Sequence, residues 1–111
     1  MDNKKYRYHH IGIPTTKQHK NEKYFKKLKF YHAGYEESEF GIEWMRFEKD
    51  CPLPDLIQKV PHLAFEVDDL DEALAGRKVI IAPNSPSEGI RVAFIEEDGA
   101  PIELLEDKSG N

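Results

Sequence analysis

The chain of 111 residues contains no apolar run approaching the length of about 18 residues that a membrane-spanning helix requires. Its opening Met1-Asp2-Asn3-Lys4-Lys5 leads into no apolar signal core. There is one cysteine, Cys51, so no internal disulfide can form, a secreted, cross-linked scaffold is excluded and a cytoplasmic setting is the default expectation. A basic surplus is also missing. The net charge of −5 argues against a general nucleic-acid binder, whose phosphate contacts demand the opposite sign. What remains, with 39% hydrophobic and 33% charged residues, is a single domain able to bury a core without metals or disulfides as staples.

Punctuation by proline, glycine and aspartate divides the chain into elements. Tyr8 to Ile13, closed by Pro14, reads as a strand. Thr15 and Thr16 offer a cap for a helix over Lys17 to Tyr31, where Tyr24, Phe25, Leu28 and Tyr31 share one stripe. The lysines at 17, 20, 23, 26, 27 and 29 then form a solvated face. Gly34 to Phe40 reads as a bent strand or hairpin, Gly41 to Glu48 as a strand and Asp50-Cys51-Pro52 as a turn. Leu53 to Gln58 reads as a short edge strand, because Pro54 cannot donate within a paired interior.

The pattern then begins again. His62 to Val67 reads as a strand, Asp68-Asp69 as the cap of a short helix with Leu70, Ala73 and Leu74 on one face, and Gly76 as its end. Strands follow at Lys78 to Ala82, Ile90 to Glu96 and Ile102 to Glu106, with a loop at Pro83 to Gly89 and a frayed tail after Lys108. An offset of 48 sets Gly41–Asp50 on Gly89–Asp98 and continues to set Asp55 on Glu103, with five identities in 18 positions. The first strands match at an offset of 52, His10 on His62. The sequence therefore predicts an internal duplication, with module one about 6–58 and module two about 61–106.

Each module opens on a histidine, His10 or His62, and closes on a carboxylate, Asp55 or Glu103. Brought together about a pseudo-twofold axis, two neutral imidazoles and two carboxylates suit a divalent first-row metal and neutralise it, leaving coordination positions open for a substrate. The bland alternative for each strand histidine alone is a structural residue. Similar readings hold elsewhere: His9 faces away from His10's side, His19 and His32 are exposed, Cys51 is an incidental thiol, and Trp44 and Phe47 are core or wall. Arg46 and Arg91 either anchor a substrate carboxylate or pair with neighbouring acids.

His10-Ile-Gly-Ile, His62-Leu-Ala-Phe-Glu-Val-Asp-Asp-Leu and Pro101-Ile-Glu-Leu-Leu-Glu resemble the vicinal oxygen chelate superfamily, which includes glyoxalase I, bleomycin-resistance proteins, methylmalonyl-CoA epimerase and extradiol dioxygenases. The resemblance spans Tyr8 to Glu106 and implies an α+β fold of two βαβββ modules forming a half-open barrel around a metal. Matched to the family's ligand positions, it implies His10, His62 and Glu103, with a fourth carboxylate at Asp55, preferred on the repeat, or at Glu43, which sits in the family-like Ile42-Glu43-Trp44. It further implies a divalent ion (zinc, nickel, manganese, cobalt or ferrous iron), a small substrate held through adjacent oxygens, and lyase or isomerase chemistry with Glu103 or Asp55 moving the proton. Sequestration of a small molecule without a metal, as in bleomycin-resistance proteins, is the competing function. Modules pair within one chain or swap across a homodimer in such proteins. With roughly 50 residues per module there is little chain for a lid, and an open, shallow pocket is expected.

Overall fold

The computed structural model describes residues 5–110; the segment read above as lacking a signal core lies largely outside them, as does Asn111. The chain divides into two compact units, one of His10–His62 and one joining the chain up to His9 with Leu63 onward. Among the described residues no helix is long and apolar enough to cross a membrane.

In the His10–His62 unit the strands are β1 (Arg7–Pro14, which begins before the unit), β2 (Lys23–Phe25), β3 (Phe30–Ala33) and β4 (Ile42–Phe47), in the order β2-β3-β4-β1. Strand β4 runs antiparallel to β3 and parallel to β1, pairing Gly12 with Glu43. The helix expected over Lys17 to Tyr31 is absent, and the β2–β3 hairpin takes its place. The apolar residues that could form a helical stripe instead pair across the two strands, Tyr24 with Tyr31 and Phe25 with Phe30, at ring separations of 4.6 and 5.5 Å. Aromatic residues gain more from such cross-strand pairs than from a helix, where χ1 is restricted. The four residues between them close the turn, with Lys29 in the left-handed region (φ 58°) and its N–H donating to Phe25 O at 2.8 Å.

Gly34 to Phe40 is likewise a turn rather than a strand. The edge strand expected at Leu53 to Gln58 is the helix α1 (Asp55–Lys59). Pro54 is compatible with either reading, since a missing N–H does no harm at the entrance to a helix. Ile57 is buried beneath the helix, and the Gln58 amide donates to Leu53 O at 2.8 Å to secure its approach.

Arg46 on β4 donates to both Glu22 oxygens, at 2.7 and 2.9 Å, and lies over the Tyr31 ring at 4.2 Å. This is the neighbouring-acid alternative for Arg46, and it ties the segment before β2 to the sheet. The guanidinium holds the Glu22 carboxyl below its ordinary value of 4.5.

The second unit is closer to expectation. Its strands are β5 (His62–Glu66, of which His62 is counted with the first unit), β6 (Val79–Ser87), β7 (Ile90–Glu97) and β8 (Ala100–Asp107), in the order β5-β8-β7-β6. Between β5 and β6 lies helix α2 (Leu70–Leu74), where Asp69 accepts from the Glu72 N–H at 3.1 Å. The N–H of Leu70 donates to the buried Glu106 at 2.9 Å. Val67, Leu70, Ala73, Ala93, Ile95 and Leu104 make the core, with Tyr6 and Phe65 packed against it. Strand β6 continues through the predicted Pro83–Gly89 loop as far as Ser87, with repeated register shifts against β7. Prolines are tolerated there because β6 has a neighbour on one side only and is bulged. The tail is less frayed than expected, since the Lys108 N–H donates to Gly89 O at 2.8 Å.

Two predictions follow from packing and charge. Leu70→Ala lowers stability by about 2–5 kcal/mol, whereas the turn substitution Lys26→Ala changes it by less than about 0.5 kcal/mol, as read by denaturant unfolding. The ionised Glu22 stabilises the folded state above its ordinary value of 4.5, and this contribution is lost as pH falls through the lowered folded value. Wild type therefore melts above Glu22→Gln at pH 7, and the gap closes progressively below pH 4.5.

Candidate metal centre

Strand alternation puts His10 and Gly12 on one face of β1, and both are buried. The parallel register sets Glu43 of β4 opposite Gly12, so the Glu43 carboxylate and the His10 ring are diagonal neighbours on that face. Glu43 Oε1 lies 3.7 Å from His10 Nε2. His62, 2% exposed, stands edge-on to His10 with ring centroids 5.5 Å apart and planes at 81°. A β-carbon on Gly12 would collide with the His62 ring, so the glycine is what admits that ring against β1.

The second carboxylate oxygen of Glu43 has a different neighbour. His32 on β3 brings Nδ1 to 3.0 Å from Glu43 Oε2. A cavity of about 320 Å³ opens beside this pair, lined by His32, Glu43, Lys23, Tyr35 and Asn21 among others. Tyr35 also sets its ring edge-on to His10 at 5.7 Å.

In the other unit, Glu103 sits on β8, half-buried, opposite Ala64 of β5. That register repeats the one above. Ala64 follows His62 by two residues and pairs with Glu103, as Gly12 follows His10 by two residues and pairs with Glu43. The structural partner of Glu103 in the first unit is therefore Glu43, 60 positions earlier, and the preference for Asp55 is corrected. Asp55 heads α1 rather than ending a strand; its side chain is 85% exposed and 3.5 Å from Lys59.

The remaining candidates are placed as follows. His32 is drawn into the sheet by Glu43 instead of being free in solvent, and His19 stacks on Trp44 at 5.3 Å. Arg91 pairs with Asp71 at 3.0 Å and lies 3.6 Å from Glu106, so both arginines are engaged by neighbouring acids. Cys51 is buried. His32 was missed as a neighbour of the site because it belonged, on the sequence, to a segment just beyond a helix. A β3–β4 pairing would have put it near Glu43.

No protein-family model and no curated protein matches this sequence. Solved structures similar in three dimensions include two of nearly the same length. A hypothetical protein, BH1468, from Bacillus halodurans C-125 superposes with a TM-score of 0.72 at 22% identity, over 96% of this chain and 97% of that one. Methylmalonyl-CoA epimerase from Mycobacterium tuberculosis does so with a TM-score of 0.65 at 19% identity, over 94% and 89%. The fold is thus α+β and glyoxalase-like.

Gly12→Ala tests the local packing. Forcing a methyl group against the His62 ring costs about 1–3 kcal/mol and moves the His62 imidazole resonances in an NMR spectrum, while those of His9 stay in place.

Proposed function

We propose that this protein is a divalent-metal-dependent lyase or isomerase that acts on a small substrate through two adjacent oxygens, with His10, His62 and Glu43 as metal donors and Glu103 as the further carboxylate that the family-like sequence around it implies. The single observation that carries the proposal is the pair of buried histidines from two different strands, ring against ring, with a carboxylate oxygen 3.7 Å from one of them. Two imidazoles with one or two carboxylates suit zinc, nickel, manganese, cobalt or ferrous iron in their chemistry. The likeness of fold to an epimerase is consistent with this class of reaction.

When bound, such an ion supplies Lewis acidity to the substrate oxygens and stabilises the negative charge that develops on them. The chain supplies the rest. His10 and His62 are held by burial, so no reorganisation of the donors accompanies binding. Glu103, or Glu43, removes a proton from the carbon next to the chelated oxygens and returns it, with a carboxylate oxygen as the base. Lys23 lines the 320 Å³ cavity together with Glu36, which is 3.8 Å from it, Glu37 and Glu43, so the lining carries more acidic than basic groups.

A second reading, a metal-free small-molecule binding or sequestering protein, is favoured by one observation: both oxygens of Glu43 already have a histidine nitrogen beside them, His10 Nε2 at 3.7 Å and His32 Nδ1 at 3.0 Å. Metal analysis separates the two. Purified under metal-replete conditions, the protein retains close to one equivalent of metal per chain, and His62→Ala loses it. A content below about 0.1 equivalent, unchanged in His62→Ala, contradicts the enzyme reading. Thermal stabilisation by small organic acids or aromatics but by no divalent ion would then support sequestration.

A further inference from the structure

Resting on the metal-site reading above, we infer that His32 is a positioning residue for the metal centre: it holds one oxygen of Glu43 so that the other is presented beside His10. The geometry divides the carboxylate cleanly. Oε2 is 3.0 Å from His32 Nδ1, and Oε1 is 3.7 Å from His10 Nε2. A carboxylate on a strand can rotate about its terminal torsion, which is broad and nearly two-fold, so nothing in the Glu43 side chain alone fixes which way its oxygens face. A donor at Oε2 removes that freedom.

His32 is itself well placed to resist displacement. It lies within β3, paired with Met45 of β4 on one side and Lys23 of β2 on the other, and its ring packs 6.0 Å from that of Phe30. Its side chain is about one-third exposed and lines the cavity beside Glu43. With hydrogen on Nδ1, the ring can hold Oε2 through that atom while the cavity stays open beside the pair. Groups that orient a metal-binding carboxylate in this manner, without touching the ion, commonly change metal affinity by about 10–100-fold. His32 stands opposite Met45, two residues after Glu43; the residue of β7 at the corresponding place is Val92, opposite Leu105, whose aliphatic side chain carries no donor.

The experiment is a titration of the full-length protein with cobalt(II), following the visible absorption of the bound ion and its dissociation constant. Wild type is compared with His32→Phe, which keeps the ring against Phe30 but removes the donor, and with His32→Asn, whose amide nitrogen sits as many bonds from the backbone as Nδ1. The expected result is a 10–100-fold weaker constant and an altered cobalt spectrum in His32→Phe, with both returned to within about threefold of wild type in His32→Asn. Melting temperatures of the cobalt-free proteins separate loss of the contact from loss of the fold. Cobalt binding of equal strength and spectrum in wild type and His32→Phe overturns the role of His32 and leaves the metal site standing. So does failure of His32→Asn to restore what His32→Phe loses while both remain folded. No cobalt binding by wild type overturns the metal site, and the role of His32 with it.

Discussion

The structure depends on the parallel pairing of the first and last strands in each set, β1 with β4 and β5 with β8. Side chains alternate along a strand, so a histidine and the residue two places on share a face, and a parallel partner opposite that second residue shares it too. The chain uses this rule twice. His10 leads to Gly12 and so to Glu43, and His62 leads to Ala64 and so to Glu103. The intervening residues are the two smallest types, which leaves the space above them to the neighbouring ring; at Gly12 the occupant is His62. A one-residue slip in either ladder would send the carboxylate to the opposite face and dismantle the constellation.

Around this arrangement the polar groups are held in place by hydrogen-bonding or charged neighbours. Glu43 stands between His10 and His32, Glu22 is bracketed by Arg46, and Arg91 lies between Asp71 and Glu106. The arginine pairs hold the sheets' surroundings in place, and neither arginine is free to clamp a substrate. Lys23, which lines the cavity beside Glu43, likewise lies 3.8 Å from a carboxylate oxygen of Glu36. The aromatic residues of β2, β3 and β4 form a continuous wall, Phe25 to Phe30 to Phe47, which makes the hairpin stiff enough to carry His32.

Much of this was legible from residue order. The helix and the last two strands of the second unit were read to within two residues, because their signals agree: Asp69 caps the helix and Gly76 with φ 75° ends it, whereas β6 runs five residues past its expected end at Ala82. His10, His62 and Glu103 were found on strands for the same reason. The first unit was harder because Tyr24, Phe25, Leu28 and Tyr31 satisfy helical spacing, while Tyr24 with Tyr31 and Phe25 with Phe30 satisfy hairpin pairing as well; Phe30 then packs on Phe47 of β4. Pro54 was equally two-sided. The fourth carboxylate was misassigned through a false register. Gly41 and Gly89 both adopt left-handed backbone (φ 72° and 82°) just before a strand, and Asp50 and Asp98 both lie in turns, so the offset of 48 matched turn chemistry. It laid β4 on β7, whereas the sheet order makes β4 the counterpart of β8. The histidine beside Glu43 could not be seen until the helix had been replaced by a hairpin.

The central claim is that His10 and His62, with Glu43 beside them, bind a divalent ion. Anomalous diffraction from a crystal grown with zinc tests it most directly. The account predicts a single strong peak at about 2.0–2.2 Å from nitrogens of His10 and His62 and from an oxygen of Glu43. A peak bound elsewhere, or none at full zinc saturation, would contradict it.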